Sequence, residues 1–172
     1  MKGLFSYKVG SNYQAGSVLS GALLFFGVAT VNGTGTVDVK VWNNGGTGGS
    51  PGTVLSIQPV NISSIPVDGN PVLVNFIPTI PITTDFYVGI GINYAQGDSV
   101  ILFTNTNGST NPGTSWEQWE DNTWHTYNAA YAPSNYDINV ANAIFTIACQ
   151  PSTVSIQEAN SLSEIKLYPN PA

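Results

Sequence analysis

The chain has few side chains that could perform acid–base or nucleophilic chemistry. His125 is its only histidine, so a serine–histidine–acid triad or a multi-histidine zinc site would have to be built around this residue. Ser50, within Gly48–Gly52, fits the G-x-S-x-G expression of a nucleophile elbow, but an elbow needs a strand before the serine and a helix after it. Pro51 and Gly52 instead predict a turn. We therefore expect no catalytic residue and no enzyme activity in this chain.

Carboxylates are the next candidates, either for glycoside hydrolysis or for metal binding. Glu117 would pair with Glu120 or Asp121 as the two acids of a glycosidase, but all three lie in one short hairpin rather than on facing walls of a cleft. Asp and Asn abound in the predicted turns, which favours calcium over a transition metal. Because no loop has the Asp-x-Asp-x-Asp-Gly spacing, we expect no metal ligands and no cofactor, with calcium as the one open alternative.

The densest group of aromatic residues lies within residues 115–127, which include three of the four tryptophans. Strand-forming residues on both sides of a polar pair predict a β-hairpin here. With Asp121 and Asn122 as a two-residue turn, Trp119 is expected to lie opposite Trp124.

The same register places Glu117 opposite Thr126, on the face that carries both Trp119 and Trp124. Because glutamate is almost never buried unpaired, we expect this face to meet solvent. Two neighbouring exposed indoles would form a flat apolar platform for sugar rings or for aromatic side chains of a partner protein. We therefore predict a ligand-binding face made of these four residues.

Two other roles stay open for the aromatic rings of the hairpin. They could fold onto a neighbouring loop, such as residues 131–136, and serve as packing. They could also contact another domain of a larger protein. Buried indoles and a featureless surface would favour a structural spacer over a binding module.

The composition argues against several classes of partner. The chain has four lysines, no arginine and ten acidic residues, which gives a net charge of −6. The lysines are scattered singly along the chain. Nucleic acids and anionic membrane surfaces are held by clustered basic side chains, so we expect neither as a partner. No run reaches the roughly 18 apolar residues of a membrane span, and we expect no membrane insertion.

The single Cys149 allows no internal disulfide, and we expect it to be buried in the last core strand.

Short apolar segments separated by turn residues predict the fold. Val37, Val39 and Val41 alternate with Asp38 and Lys40, which is the pattern of a half-buried strand. Similar segments recur between clusters of Gly, Pro, Asn and Asp. We predict an all-β chain, an antiparallel β-sandwich of jelly-roll type with about nine or ten strands and no long helix. The predicted strands are Leu4–Val9, Val18–Val31, Thr36–Trp42, Thr53–Ile65, Val72–Ile77, Phe86–Tyr94, Val100–Thr104, the two arms of the hairpin and Asp137–Cys149.

The sandwich is expected to occupy residues 1–149 as one domain, because 42% hydrophobic residues in 172 suffice for one sizeable core. Pro78 and Pro81 restrict the chain around them to a sheet edge or a crossover, since proline cannot donate to a ladder. Residues 150–163 are polar and predict a linker.

The last residues, 164–172, carry a specific motif. Tyr168, Pro169, Asn170 and Pro171 resemble the opening of the C-terminal sorting domain that the type IX secretion system of Bacteroidetes uses, in which this motif follows a short strand. The later strands of such a domain do not follow, so we expect only its truncated start. The resemblance implies contact with the secretion machinery, export across the outer membrane, and release or attachment at the cell surface.

The body of the chain is similar to a β-sandwich accessory module that often precedes such sorting domains in large secreted proteins, including peptidases. This resemblance implies a non-catalytic module beside other domains of a parent protein. We expect it to bind glycan or protein through the aromatic hairpin face. The alternative is a structural spacer between a catalytic domain and the secretion sorting domain. The segments that carry the resemblance are Val39–Trp42, Pro51–Leu55, Asp85–Ile90, Asn111–Trp116 and Asn122–Trp124.

Overall fold

A computed structural model describes residues 4–9 through their backbone and residues 15–32, 34–93, 96–109, 113–128 and 138–151 in full. The predicted loop at 131–136, most of the predicted linker and the predicted sorting-domain start at 164–172 lie outside these residues.

The described residues are built from strands, as the sequence predicts. Two single 3₁₀ turns, Thr47–Gly49 and Ile62–Ser64, are the helical elements among them. The strands are β1 (Leu4–Val9), β2 (Val18–Leu24), β3 (Phe26–Thr30), β4 (Thr36–Asn43), β5 (Val54–Asn61), β6 (Val72–Pro81), β7 (Phe86–Asn93), β8 (Ser99–Leu102), β9 (Ser115–Gln118), β10 (Trp124–Thr126) and β11 (Ile144–Cys149).

Six of these strands form one antiparallel sheet in the order β10-β9-β1-β7-β4-β5. A second layer contains the three-stranded sheet β11-β2-β6 and the pair β3-β8. Phe25 joins the two parts of this layer, because its N–H donates to the carbonyl oxygen of Ala143 and its carbonyl oxygen accepts from the N–H of Phe103. The two layers confirm the predicted β-sandwich, with eleven described strands against the nine or ten expected.

The centre of the core is the pairing of β4 with β7. Val37, Val39 and Val41 on β4 are buried, and they lie opposite Ile92, Ile90 and Val88 on β7. Burial of these valines on one face of β4 is the expected result of its period-two alternation, whereas β7 is buried on both faces. Across the core, side chains of the second layer complete one hydrophobic cluster, among them Leu19, Leu24, Phe26, Val74, Phe76 and Ile144.

Three local details bear on the sequence predictions. The predicted strand Val18–Val31 is divided at Phe25 into β2 and β3. Pro78 and Pro81 lie in β6, which is an edge strand of its sheet, as their missing N–H groups require. The expectation for Cys149 is wrong, since this residue is exposed, with its Sγ 3.8 Å from Oγ of Ser20. The residue ends β11, which is an edge strand of its sheet.

Two leucines on neighbouring strands give a matched test of the two-layer packing. Leu24 on β2 is 0% exposed and Leu73 on β6 is 55% exposed. We expect Leu24→Ala to lower the free energy of unfolding by about 2–5 kcal/mol through lost burial and a residual cavity. Leu73→Ala should change it by less than about 1 kcal/mol. Urea titration followed by near-ultraviolet circular dichroism measures both, and equal losses would contradict this assignment of the core face.

Candidate functional site

The predicted hairpin forms, at the edge of the six-stranded sheet. Its strands β9 and β10 are antiparallel, and β9 in turn pairs with β1. Its register differs from the predicted one by a single residue, because Trp124 lies opposite Gln118 and His125 lies opposite Glu117. The predicted pairing of Trp119 with Trp124 is therefore wrong.

The turn of the hairpin explains this shift. Its loop contains three residues, Glu120, Asp121 and Asn122, instead of the two expected. The N–H of Asn122 donates to the carbonyl oxygen of Trp119 over 2.9 Å, and the N–H of Trp119 donates to the carbonyl oxygen of Thr123 over 3.0 Å. Asn122 has a φ of 65°, so a left-handed residue follows the first turn, as in common three-residue hairpin loops. One extra residue in the loop exchanges the faces of one strand relative to the other.

The consequence is that the four predicted ligand-binding residues are separated. Trp124 and Thr126 lie on one face of the hairpin, and Thr126 is opposite Trp116. Glu117 and Trp119 lie on the other face. The predicted platform of two indoles does not form.

The face with Trp124 is used for packing. The rings of Trp124 and Trp42 meet edge to face with centroids 5.6 Å apart, and those of Trp116 and Tyr87 do so at 6.4 Å. Trp42 and Tyr87 are buried opposite each other on β4 and β7. A flat sheet would hold β10 and β4 about 19 Å apart, so the contact of Trp124 with Trp42 requires the sheet to curl towards this side.

Tyr87 anchors this aromatic cluster to the glycine loop after β4. Its hydroxyl group donates a hydrogen bond to the carbonyl oxygen of Gly49. Burial, with a smaller contribution from the negative charge of Asp85, raises the pKa of Tyr87 to about 12. The hydroxyl group therefore stays protonated and able to donate over the whole physiological pH range.

The other face of the hairpin presents Trp119, whose side chain is 42% exposed. Its Nε1 donates to Oε1 of Glu117 over 2.8 Å. The imidazole of His125 stacks on its indole, with ring centroids 3.9 Å apart and planes 26° from parallel. These two contacts hold the indole at a fixed orientation while much of its surface remains accessible.

His125 is held in turn by a short polar chain. Oγ1 of Thr123 donates to Oδ1 of Asp121 over 2.6 Å and lies 2.7 Å from Nε2 of His125. Since the hydroxyl group has one proton and gives it to Asp121, Nε2 of His125 is the donor in the second bond. The hydrogen bonds from Thr123, first from its side chain and then from its backbone, lower the pKa of Asp121.

We define the Trp119 surface as Glu117, Trp119, Asp121, Thr123 and His125. Sequence reasoning found Glu117 and Trp119 but did not include the other three. The spacing offered one signal: an Asp two residues before a Thr predicts a turn in which the carboxylate accepts from the backbone of the threonine. The structure contains this bond, from the N–H of Thr123 to Oδ1 of Asp121 over 2.9 Å.

Substitution of Asn122 tests the turn that determines the register. We expect Asn122→Ala to lower the free energy of unfolding by about 1–2 kcal/mol, because alanine is strained in the left-handed conformation. Asn122→Gly should stay close to the wild type, since glycine adopts this conformation readily. Thermal unfolding of the two variants provides the measurement, and equal stability of the alanine and glycine variants would argue against the three-residue loop.

The pH dependence of stability tests the polar chain. Because the pKa of Asp121 in the folded state is lowered from 3.8, its charge stabilises the fold above pH 3.8. That contribution is lost as the pH falls through the folded-state value. Asp121→Asn should therefore be less stable than the wild type at pH 7, and the difference should shrink below pH 3.8. In a Thr123→Val background, most of this pH-dependent difference should vanish, and urea titrations at pH 7, 5, 3 and 2 would show whether it persists.

Two further properties concern the described part of the chain as a whole. Its His, Cys, Asp and Glu side chains do not come together in groups of three or more that could hold a metal ion. A helix long and apolar enough to cross a membrane is not found in it either.

Comparison of the chain with protein-family models, with curated proteins and with solved structures finds no match.

Proposed function

We propose that this chain is a non-catalytic module of a secreted or cell-surface multidomain protein, and that it binds glycan through the Trp119 surface. One observation carries the proposal: an accessible indole is held in place by a stacked imidazole and a hydrogen-bonded carboxylate. The bonding pattern of Thr123 does not favour a catalytic role, because its hydroxyl group donates its proton to Asp121 and His125 therefore does not accept that proton as a general base would.

The fixed indole supports glycan binding on energetic grounds. Sugar rings have apolar C–H faces that stack on aromatic rings, and a tryptophan supplies a large flat area for this contact. A side chain that is already ordered loses little conformational entropy when a ligand binds. Trp119 meets this condition through its contacts with His125 and Glu117.

The groups around the indole favour a neutral glycan. Carboxylate oxygens of Glu117 and Asp121 accept hydrogen bonds from sugar hydroxyl groups, and such charge-assisted bonds are stronger than neutral ones. The net charge of −6 repels uronic acids and sulfated sugars. We therefore expect neutral polysaccharides to bind in preference to acidic ones.

Export and the multidomain setting rest on the tail of the sequence. The motif Tyr168–Pro169–Asn170–Pro171 supports secretion by the type IX route, with the module placed before a sorting domain. A charge-poor surface that depends on Asn, Ser and Thr for solubility agrees with an extracellular location.

A spacer role is the second candidate, and an exposed apolar row favours it. Leu73, Leu23 and Phe145 lie side by side across β6, β2 and β11. Leu73 is 55% exposed and Phe145 is 59% exposed, which is unusual for neighbouring large apolar side chains. A neighbouring domain of the parent protein would cover such a row.

Removal of Trp119 tests glycan binding. We expect Trp119→Ala to weaken binding of a neutral polysaccharide roughly tenfold or more, because the stacking surface is lost. Phe145→Ala is the matched control, since it removes an exposed aromatic side chain from the opposite layer and should leave binding unchanged. Affinity electrophoresis in gels that contain cellulose derivatives, xylan, mannan or chitin derivatives measures all three proteins.

The two candidate functions give different results in that experiment. Retardation of the wild type and of Phe145→Ala, but not of Trp119→Ala, supports glycan binding. No retardation by any polysaccharide would refute glycan binding and leave the spacer role or a protein ligand.

A further inference from the structure

A cavity of about 240 Å³ opens between the two layers on the same side of the sheet as the Trp119 surface. Its walls come from Ile90 on β7, from residues 100–102 on β8, and from Tyr127 and Asn142. The lining is mainly apolar and carries a small number of polar groups, which is typical of small-molecule sites. Its volume suits a substituent of a ligand rather than a whole oligosaccharide.

Asn142 is the unusual member of this lining, because its side chain is polar and the residue is only 8% exposed. Among the described residues, its amide makes one hydrogen bond, from Nδ2 to the hydroxyl oxygen of Tyr127 over 3.5 Å. That distance is at the long limit for a hydrogen bond. A side-chain amide has two donors and two acceptor positions, so most of its capacity is available to a ligand in the cavity.

The cavity continues the Trp119 surface along the hairpin. Tyr127 follows β10 directly, and its N–H donates to the carbonyl oxygen of Ser115 over 3.0 Å, so the ladder extends to this residue. Side chains alternate along a strand, which places Thr123, His125 and Tyr127 on one face. His125 and Tyr127 are therefore about 7 Å apart along the strand. Neighbouring rings of one oligosaccharide can cover that distance.

The chemistry of the cavity indicates an acylamino group. An acetamido substituent has a methyl group, which fits the apolar walls at Ile90 and Leu102. It also has an N–H and a carbonyl oxygen, which complement the two ends of the Asn142 amide. A hydroxyl substituent has no apolar part and would leave those walls uncovered.

We infer that this cavity is a subsite for the acetamido group of an N-acetylated sugar, one ring away from the sugar that stacks on Trp119. The inference deepens the proposed function and rests on it. It names the ligand class as neutral oligosaccharides that contain N-acetylhexosamine.

Titration calorimetry with two neutral trisaccharides tests the inference. N,N′,N″-triacetylchitotriose and cellotriose have the same linkage and differ in the acetamido groups. We expect the acetylated sugar to bind at least about tenfold more tightly than cellotriose, because it buries one methyl group and makes one additional hydrogen bond. Equal affinities for both sugars would overturn the subsite and leave glycan binding intact. If neither sugar nor any other glycan binds, the proposed function fails as well.

Variants locate the preference in the cavity. Val100→Phe fills it, and we expect this variant to bind both sugars with the affinity of the wild type for cellotriose. Tyr127→Phe disturbs folding less than Val100→Phe does. It should reduce the preference for the acetylated sugar severalfold, because it removes the hydroxyl group that positions Asn142. Trp119→Ala should weaken both sugars equally, and Leu73→Ala should weaken neither. A preference that survives in both cavity variants would overturn the assignment.

One measurement needs no variant. Nuclear Overhauser contacts between the acetyl methyl protons of the bound sugar and the methyl groups of Ile90 and Leu102 are expected if the cavity is the subsite. Contacts of the acetyl group with other methyl groups instead would place it elsewhere and refute the inference.

Discussion

The antiparallel pairing of β4 with β7 is the interaction on which the other elements depend. It buries Val37, Val39 and Val41 against the second layer and places Trp42 and Tyr87 on the opposite side of the sheet. Because side chains alternate along both strands, these two results cannot be separated. One face of the sheet is therefore apolar along β4, whereas the other face is aromatic at Trp42 and Tyr87 and charged at Asp38 and Lys40.

The second layer covers one face, and the hairpin covers part of the other. Trp124 and Trp116 reach Trp42 and Tyr87 across a curled sheet, which builds a small aromatic cluster outside the main core. With half of its aromatic residues engaged in this way, the hairpin is held firmly at an otherwise free sheet edge. Its second face carries the stacked rings of Trp119 and His125, and Trp119 remains exposed.

The Trp119 surface and the cavity at Asn142 meet along β10 and its continuation to Tyr127, on one side of the sheet. Rigid strands position binding groups more accurately than loops do, since their backbones are tied by ladder hydrogen bonds. In this chain the indole, the imidazole and the cavity wall at Tyr127 follow each other along one hairpin. An elongated ligand with alternating apolar and polar surface suits such a row better than a compact one.

The sequence alone was sufficient for the fold class, for most strands and for the existence of the hairpin. Period-two patterns such as Val37 to Val41 and the edge position of Pro78 and Pro81 are local properties, so they can be recognised without the tertiary structure.

The faces of the hairpin were decided only by the three-residue loop with its left-handed Asn122. Two-residue and three-residue loops have similar sequences, yet one extra residue exchanges the faces of one strand relative to the other. Tertiary structure also decided which rings meet, because the contact of Trp124 with Trp42 depends on the curl of a sheet whose strands are far apart in the chain. The stacking of His125 on Trp119 follows from the register that this loop sets, whereas the cavity at Asn142 needs residues from β7, β8 and the hairpin, which are far apart in the chain.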